Sequence, residues 1–261
     1  VSGAGRSFDR VAHCYDETRR MPPEPHAAVT DGIARAARAV APAPSVLEIG
    51  IGTGRIALPL ADAGVRVVGI DLAREMVARL RAKRPDLPVA IADATHLPFG
   101  RATFDAVLFV HVLHLLPDPG AVLRAACDVL RPGGRILYGR QELPANPLLR
   151  ASAAVRAIYA EVSGVEDDSR SPHEQASEAF AQHARAVGVE PVESLLATWE
   201  EQTTGRRLLE HVAGKVWSST WDIPDALMPE VLRRLTPRVE ALLGDLDRPV
   251  PLKATFTLSA A

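Results

Sequence analysis

The residues of this chain best suited to chemistry stand at the ends of short apolar runs. Val46-Leu47-Glu48-Ile49 leads directly into Gly50-Ile51-Gly52-Thr53-Gly54, and Ile56, Ala57, Leu60 and Ala61 follow at helical spacing. A glycine-rich turn between strand and helix brings a ligand against the backbone, because no side chain blocks its approach. The helix start then offers unpaired N–H groups and a positive dipole end to an anionic group, a carboxylate or a phosphate. Asp71 closes a second apolar run, 21 positions after Gly50. A carboxylate there accepts hydrogen bonds from ribose hydroxyls, or caps the helix that starts near Ala73. Asp93 follows a third run, where it reads an adenine amino group in the same crevice or simply forms a turn. His111 and His114 follow a fourth run, and their near-neutral pKa suits a general base.

The elements that must position these residues are readable from periodicity. Val46–Ile49, Val65–Ile70, Val89–Ala92, Ala106–Val110 and Arg135–Tyr138 are short and rich in Val, Ile or Leu, as strands buried on both faces should be. Helical segments lie between them, which is the pattern of a parallel α/β sheet. Val189–Thr198 reads as a sixth strand and Leu252–Leu258 as a seventh at or near a sheet edge. Phe8, Val11, Ala12 and Tyr15 predict a short amphipathic helix before the break at Pro22, Pro23 and Pro25, and a second helix runs to about Val40. Asn146 to about Val187 is helix-forming, interrupted by an acidic turn from Gly164 to Ser169, and reads as an inserted cap. Leu208, Val212 and Val216 mark one further helix, and Met228, Val231, Leu232, Leu235, Val239 and Leu242 another. Trp217 and Trp221 either line an apolar substrate cavity or belong to the core.

Composition narrows the partners. The 261 residues suit one elaborated α/β domain or a core with a small lid, and 30 Lys+Arg against 32 Asp+Glu give a formal net charge of -2. No global basic field exists of the kind nucleic-acid binding uses, so no nucleic acid is expected. Cys14 and Cys127 have neither CxxC pairing nor histidine at ligand spacing, so free thiols and no metal are expected. The apolar runs are too short to span a bilayer and no signal sequence opens the chain, so a cytoplasmic location without membrane association is the expectation.

Taken in order, these motifs resemble the class I S-adenosylmethionine-dependent methyltransferases, in particular the small-molecule group that includes the ubiquinone/menaquinone-biosynthesis type. The matching segments are Glu48 to Gly54, Asp71, Asp93-Ala94 with Leu97-Pro98-Phe99, Val112-Leu113-His114-Leu115-Leu116-Pro117-Asp118, and Leu130-Arg131-Pro132-Gly133-Gly134. The resemblance spans roughly residues 45–140 and draws its specificity from the ordered set. It implies a Rossmann-like, seven-stranded, mostly parallel sheet with an antiparallel last strand, helices on both faces and helical cap insertions. It also implies S-adenosyl-L-methionine as cofactor and methyl transfer to the O, N, S or C atom of an unidentified small molecule. Gly50 and Gly52 would approach the methionine part, Asp71 the ribose, and Asp93 with Ala94 the adenine, against which Leu72 and Met76 pack. Glu48, Gly54 and Val110 join this cofactor set. Tyr15-Asp16 resembles an N-terminal element that closes over the cofactor, so Tyr15 either contacts the methionine end or merely packs. His114 matches a position often held by histidine in the family, as part of a loop and helix start.

The expected organisation is an N-terminal helical lid over 1–44, a cofactor-binding core over 45–140, a helical cap over 141–187, and a C-terminal part of the core over 188–261 carrying strands six and seven. A monomer or homodimer is expected. Two rival readings remain at this point. A nicotinamide-dependent oxidoreductase would share the glycine turn and Asp71, although the glycines at 50, 52 and 54 do not follow G-x-G-x-x-G. The other is an S-adenosylmethionine-binding protein without catalysis.

Overall fold

A computed structural model describes residues 7–143, 147–164 and 171–261. A 3-10 turn at Asp9–Cys14 leads into α1 (Tyr15–Thr18) and α2 (Pro23–Arg38). The central segment alternates β1 (Ser45–Ile49), α3 (Ala57–Asp62), β2 (Arg66–Asp71), α4 (Arg74–Lys83), β3 (Val89–Ile91), β4 (Phe104–Val110), α5 (Pro119–Val129) and β5 (Leu130–Glu142). Then come α6 (Pro147–Ser163), α7 (Pro172–Ala186), β6 (Val192–Thr203), α8 (Gly205–Ala213), α9 (Met228–Leu243) and β7 (Val250–Ala260).

The strands form one sheet in the order β3-β2-β1-β4-β5-β7-β6. β1 pairs in parallel with β2 and β4, β2 with β3, and β4 with β5. The last strand runs the other way: Ile136 and Ala261 donate their N–H groups to each other's carbonyls at 2.8 and 3.0 Å, a reciprocal exchange that marks an antiparallel ladder. Strand order therefore reverses between β1 and β4, and an open parallel sheet leaves a crevice beyond its carboxyl ends at such a point.

Local chemistry explains where the helices start. Pro23, Pro119 and Pro172 each open a helix, where a missing N–H costs nothing and the fixed φ is already helical. Asp118 accepts a hydrogen bond from Ala121 N, and Ser171 with Glu174 forms a reciprocal capping box on α7. α4 has no cap on its own N-cap residue. Its Glu75 N–H is taken by Asp9 Oδ1 at 2.8 Å, so a residue from the chain's first described turn completes a helix start 66 positions away. The helix read from Phe8 to Tyr15 is 3-10 over most of its length, and its apolar stripe still faces inward: Phe8, Ala12 and Tyr15 pack with Ala73 and Met76.

The chain divides into two compact units, Val1–Gln141 with Ser171–Ala197 and Phe256–Ala261, and Glu142–Arg170 with Thr198–Thr255. In the first, Leu47, Ile49, Val107, Phe109 and Tyr138 form one face of the sheet, covered by Val122, Leu123 and Ala126 of α5 and by Ala176 and Phe180 of α7. In the second, Val155 and Ile158 of α6 pack with Leu208 and Val212 of α8 and with Val231, Leu235 and Val239 of α9.

The span 141–187, read above as one insertion, is thus shared between units. The stripe Ala176, Phe180 and Ala184 commits α7 to the first unit, while α6 joins the second. Of that span, Asn146 and most of the acidic turn after Gly164 lie outside the described residues. Trp217 packs on the apolar cluster of the second unit and meets the His211 ring edge-on, and Trp221 donates Nε1–H to the Lys215 carbonyl at 2.8 Å. Both therefore carry structural roles. Val216 falls beyond α8, and Leu242 is 37% exposed at the end of α9.

Candidate functional site

A cleft of about 800 Å³, counting its open mouth, lies over the carboxyl ends of β1 to β4. Its floor is stitched together by main chain. Gly50 N and Ile51 N both donate to Ile70 O at 2.9 and 3.0 Å, tying the turn after β1 to the end of β2. Asp71 then clamps the two turns, accepting from Gly52 N at one carboxylate oxygen and from Ala73 N at the other, each at 2.8 Å. The choice between ligand contact and helix cap for Asp71 thus meets an arrangement richer than either, because a carboxylate offers about four lone pairs and these two bonds leave acceptor capacity facing the cleft.

Glycine is required at two points here. Gly50 has φ of 74°, and a Cβ on it would meet Val112 Cγ2 at 2.6 Å; Gly52 has φ of 58°, and its Cβ would stand 3.5 Å from Met76 Cε. Both backbones occupy the left-handed region, and a side chain at either would thicken the floor.

The N-terminal segment supplies a wall. Phe8 and Tyr15 line the cleft with ring centroids 5.9 Å apart, edge to face. Next to Tyr15, Asp16 accepts from the buried Thr53 Oγ1 and from Lys83 Nζ, both at 2.6 Å, and Lys83 Nζ also donates to Thr53 O at 3.0 Å. Burial alone would raise the Asp16 pKa, but the bonds from Lys83 and Thr53 outweigh it and hold the carboxyl below its ordinary value. Arg55 Nη1 adds a bond to Arg19 O at 3.0 Å. These contacts fasten the segment to the glycine turn.

Of the residues singled out in the sequence, the cleft brings together Tyr15, Gly50, Gly52, Asp71, Leu72, Met76, Asp93, Ala94, Val110 and His111. Asp93 Oδ1 accepts from both Thr95 N and Thr95 Oγ1, at 2.9 and 2.8 Å, and these bonds lower its pKa and keep it ionised. Burial is the largest influence on Asp71 and raises its pKa against the opposing bonds from Ala73 and Gly52.

Glu48, Gly54 and His114 do not line the cleft. Gly54 has φ of 82° and faces Leu58 and Leu80, so its role is to turn the chain and pack. His114 stacks on His173 at 3.8 Å. Glu48 is 2% exposed with no partner for Oε2, and burial pushes its pKa up to about 8, so it is a neutral acid near pH 7.

His111 differs from all of these. Its φ of 55° is unusual for a residue other than glycine, its ring meets Phe256 edge-on with centroids 6.2 Å apart, and its Nε2 is buried without a partner. Burial, reinforced by Arg55, His114, His173 and Arg19, holds its pKa well below the ordinary histidine value, so the imidazole is neutral.

Phe8, Val112, Leu115, Leu116 and Pro117 also line the cleft and were not identified from sequence as site residues. The last four lie within a quoted motif, and Phe8 was visible only as part of an apolar stripe. Among the described residues, no group of three or more His, Cys, Asp or Glu is placed to hold a metal, and no helix is long and apolar enough to cross a membrane.

Comparison with known proteins agrees with this arrangement. A model of the methyltransferase domain family matches residues 47–138, the segment that contributes the floor of the cleft. The demethylmenaquinone methyltransferase of Paenarthrobacter aurescens (strain TC1) is 32% identical over 160 residues, covering 59% of this chain and 59% of its own length. That of Mycolicibacterium paratuberculosis (strain ATCC BAA-968 / K-10) is 30% identical over 217 residues, covering 81% of this chain and 84% of its own. A solved structure from Bacillus halodurans C-125 superposes with a TM-score of 0.57 at 16% identity, over 88% of this chain and 96% of that one, which shows the shared fold. The chain belongs to the class I S-adenosylmethionine-dependent methyltransferases. This leaves the nicotinamide-dependent reading without support.

Proposed function

We propose that this protein transfers the methyl group of S-adenosylmethionine to a small-molecule acceptor. The observation that carries the reading is the cleft over β1 to β4, in which a side-chain-free floor at Gly50 and Gly52 adjoins a clamped carboxylate at Asp71. The fit to the nucleoside is chemical. Asp71 has acceptor capacity left for ribose hydroxyls, the second oxygen of Asp93 serves an adenine amino group, and Leu72, Met76 and Ala94 supply apolar surface for the base. Tyr15 and Phe8 close the methionine end.

When bound, the sulfonium supplies an already activated methyl group, so the chain's task is to orient an acceptor, exclude water and, where the acceptor carries a proton, remove it. His111, a residue lining the cleft, is our candidate for that last task. The curated relatives named above methylate demethylmenaquinone by their names, and this supports an acceptor of small-molecule size here. We place the protein in the cytoplasm, as a monomer or homodimer acting without nucleic acid.

Calorimetric titration tests the reading. S-adenosylmethionine and S-adenosylhomocysteine should bind one site per chain, NADH should not, and Asp71→Ala should remove the binding while the circular dichroism spectrum stays native. Binding of NADH without S-adenosylmethionine would reverse the assignment. Binding of the cofactor with no methyl release to any acceptor in a broad screen would favour a non-catalytic binder.

A further inference from the structure

The purine end of the cleft holds a carboxylate whose direction is set by its neighbours. Asp93 stands two residues beyond β3, half-buried, and lines the cleft between Ala92 and Ala94. An aspartate turns about two torsions, and the second has a broad profile, so an unheld carboxylate sweeps a wide arc. Thr95 removes that freedom. Its N–H and its Oγ1–H both reach Asp93 Oδ1, at 2.9 and 2.8 Å. Among the described residues the other oxygen takes no hydrogen bond, and its lone pairs remain available.

The Thr95 hydroxyl has a second neighbour, His96 Nδ1, at 2.8 Å. A hydroxyl has one hydrogen and an ionised carboxylate only accepts, so that hydrogen goes to Asp93 and His96 donates to the hydroxyl oxygen through Nδ1–H. The donors therefore run one way, from imidazole through hydroxyl to carboxylate, and each bond polarises the next. Protonation of the ring keeps a hydrogen on Nδ1, so the direction is the same in acid. The turn itself is closed by main chain, with His96 N donating to Asp93 O at 3.0 Å. The hydroxyl and the imidazole are surplus to that turn, and what they fix is the carboxylate.

We propose, building on the methyltransferase reading, that Thr95, backed by His96, is a positioning residue that makes the nucleoside site selective for a 6-aminopurine over a 6-oxopurine. Held in this way, Asp93 presents a fixed acceptor to the purine edge, and the exocyclic amine of adenine donates to it. A 6-oxopurine puts a carbonyl there instead. Two acceptors then face each other with no hydrogen between them, and both lose the bonds that water gave them. The side chains of Leu72, Ala92 and Ala94 beside it supply no donor to satisfy the carbonyl. A carboxylate free to rotate would turn aside, and the penalty would shrink.

The test uses S-adenosylhomocysteine and S-inosylhomocysteine, which differ only at the purine 6-position and the proton on the adjoining nitrogen. Calorimetric titration of the wild type should show the first binding about a hundredfold tighter. Thr95→Val keeps the shape and the backbone N–H but lacks the hydroxyl. It should weaken the first ligand about tenfold and change the second by less than about threefold, and Thr95→Ser should restore the wild-type preference. A loss of packing would lower both affinities together, which separates a positioning role from a structural one. In nitrogen-edited NMR spectra at about pH 9, where imidazoles are neutral, His96 should carry its proton on Nδ1.

Equal binding of the two nucleosides by the wild type, an unchanged preference or equal losses in Thr95→Val, no restoration in Thr95→Ser, or a His96 proton on Nε2 would each overturn the proposal while S-adenosylhomocysteine binding stands. Failure of the wild type to bind S-adenosylhomocysteine would overturn the methyltransferase reading as well. Should Thr95→Val not fold, Thr95→Ala repeats the test, and discrimination between the nucleosides by the wild type remains decisive.

Discussion

The two ends of the cleft are built on opposite principles. At the β1 and β2 tips the polar groups that line the cleft are tied together, although Glu48 Oε2 within β1 is left without a partner: Asp71 takes two backbone N–H groups, Ile70 O takes two more, and Asp16 joins Thr53 to Lys83. At the β4 tip the wall is apolar, and His111, which follows the strand, has its Nε2 buried without a hydrogen-bond partner. The first end is preorganised for a ligand of fixed shape, with hydrogen bonds that pay for rigidity. The second is an apolar wall that excludes water, and it leaves the His111 nitrogen without a hydrogen bond.

The contrast can be broken most severely at Asp71. Asp71→Ala frees Gly52 N and Ala73 N together and removes the ribose acceptor, so cofactor affinity should drop by about a hundredfold or more, roughly 3 kcal/mol. Asp71→Asn, which keeps one acceptor oxygen, should fall between it and wild type in the same calorimetric titration.

Glu48 gives an effect of similar size through pH. Its folded-state pKa is raised from 4.5 to about 8 by burial, so folding favours the protonated acid. The carboxyl imposes no penalty below pH 4.5, a growing one as pH rises from there, and its full penalty above about pH 8. Glu48→Gln should therefore stabilise the ligand-free protein by an amount that is near zero at pH 4.5 and reaches about 3 kcal/mol near pH 7. Denaturant midpoints across that range check it, and a gain that shrinks as pH rises would reverse the sign.

Gly50→Ala acts at the seam between the two ends. The new methyl meets Val112 in a backbone of positive φ, and a loss of about 2 kcal/mol in stability with about tenfold weaker cofactor binding is expected. Asp16→Asn should have the smallest effect. The ion pair with Lys83 is half-exposed, so about 1 kcal/mol or less is at stake, and the loss should diminish in high salt.

Much of the fold was legible because the first four strands are bounded by sharp punctuation, glycine or aspartate at their ends and helical spacing between them. The fifth was misjudged at its start. β5 already begins at Leu130, because the turn around Pro132, Gly133 and Gly134, with φ of 78° at Gly133, is an irregularity inside the strand, between the Phe104–Leu130 and Ala106–Arg135 pairs. The separation of α6 from α7 was hidden for another reason: an apolar stripe such as Ala176, Phe180 and Ala184 says that something is covered but not what covers it.

In the site, legibility followed chain proximity. The residues of the glycine turn, Asp71 and Asp93 are local motifs. The stacking of His114 on His173, the burial of Glu48 and the entry of Phe8 into the cleft all depend on segments far apart in sequence, and no spacing rule contains them.

The strap of residues 7–22 carries a further consequence. Asp9 finishes the start of α4, Asp16 grips Thr53, and Arg19 offers its carbonyl to Arg55, while Phe8 and Tyr15 roof one side of the cavity. A nucleoside seated against such a belt should leave faster when the belt is loosened, which a dissociation-rate measurement checks. Substitutions along it should then act first on residence time, slowing or hastening turnover between cycles before they alter how tightly the seated molecule is held.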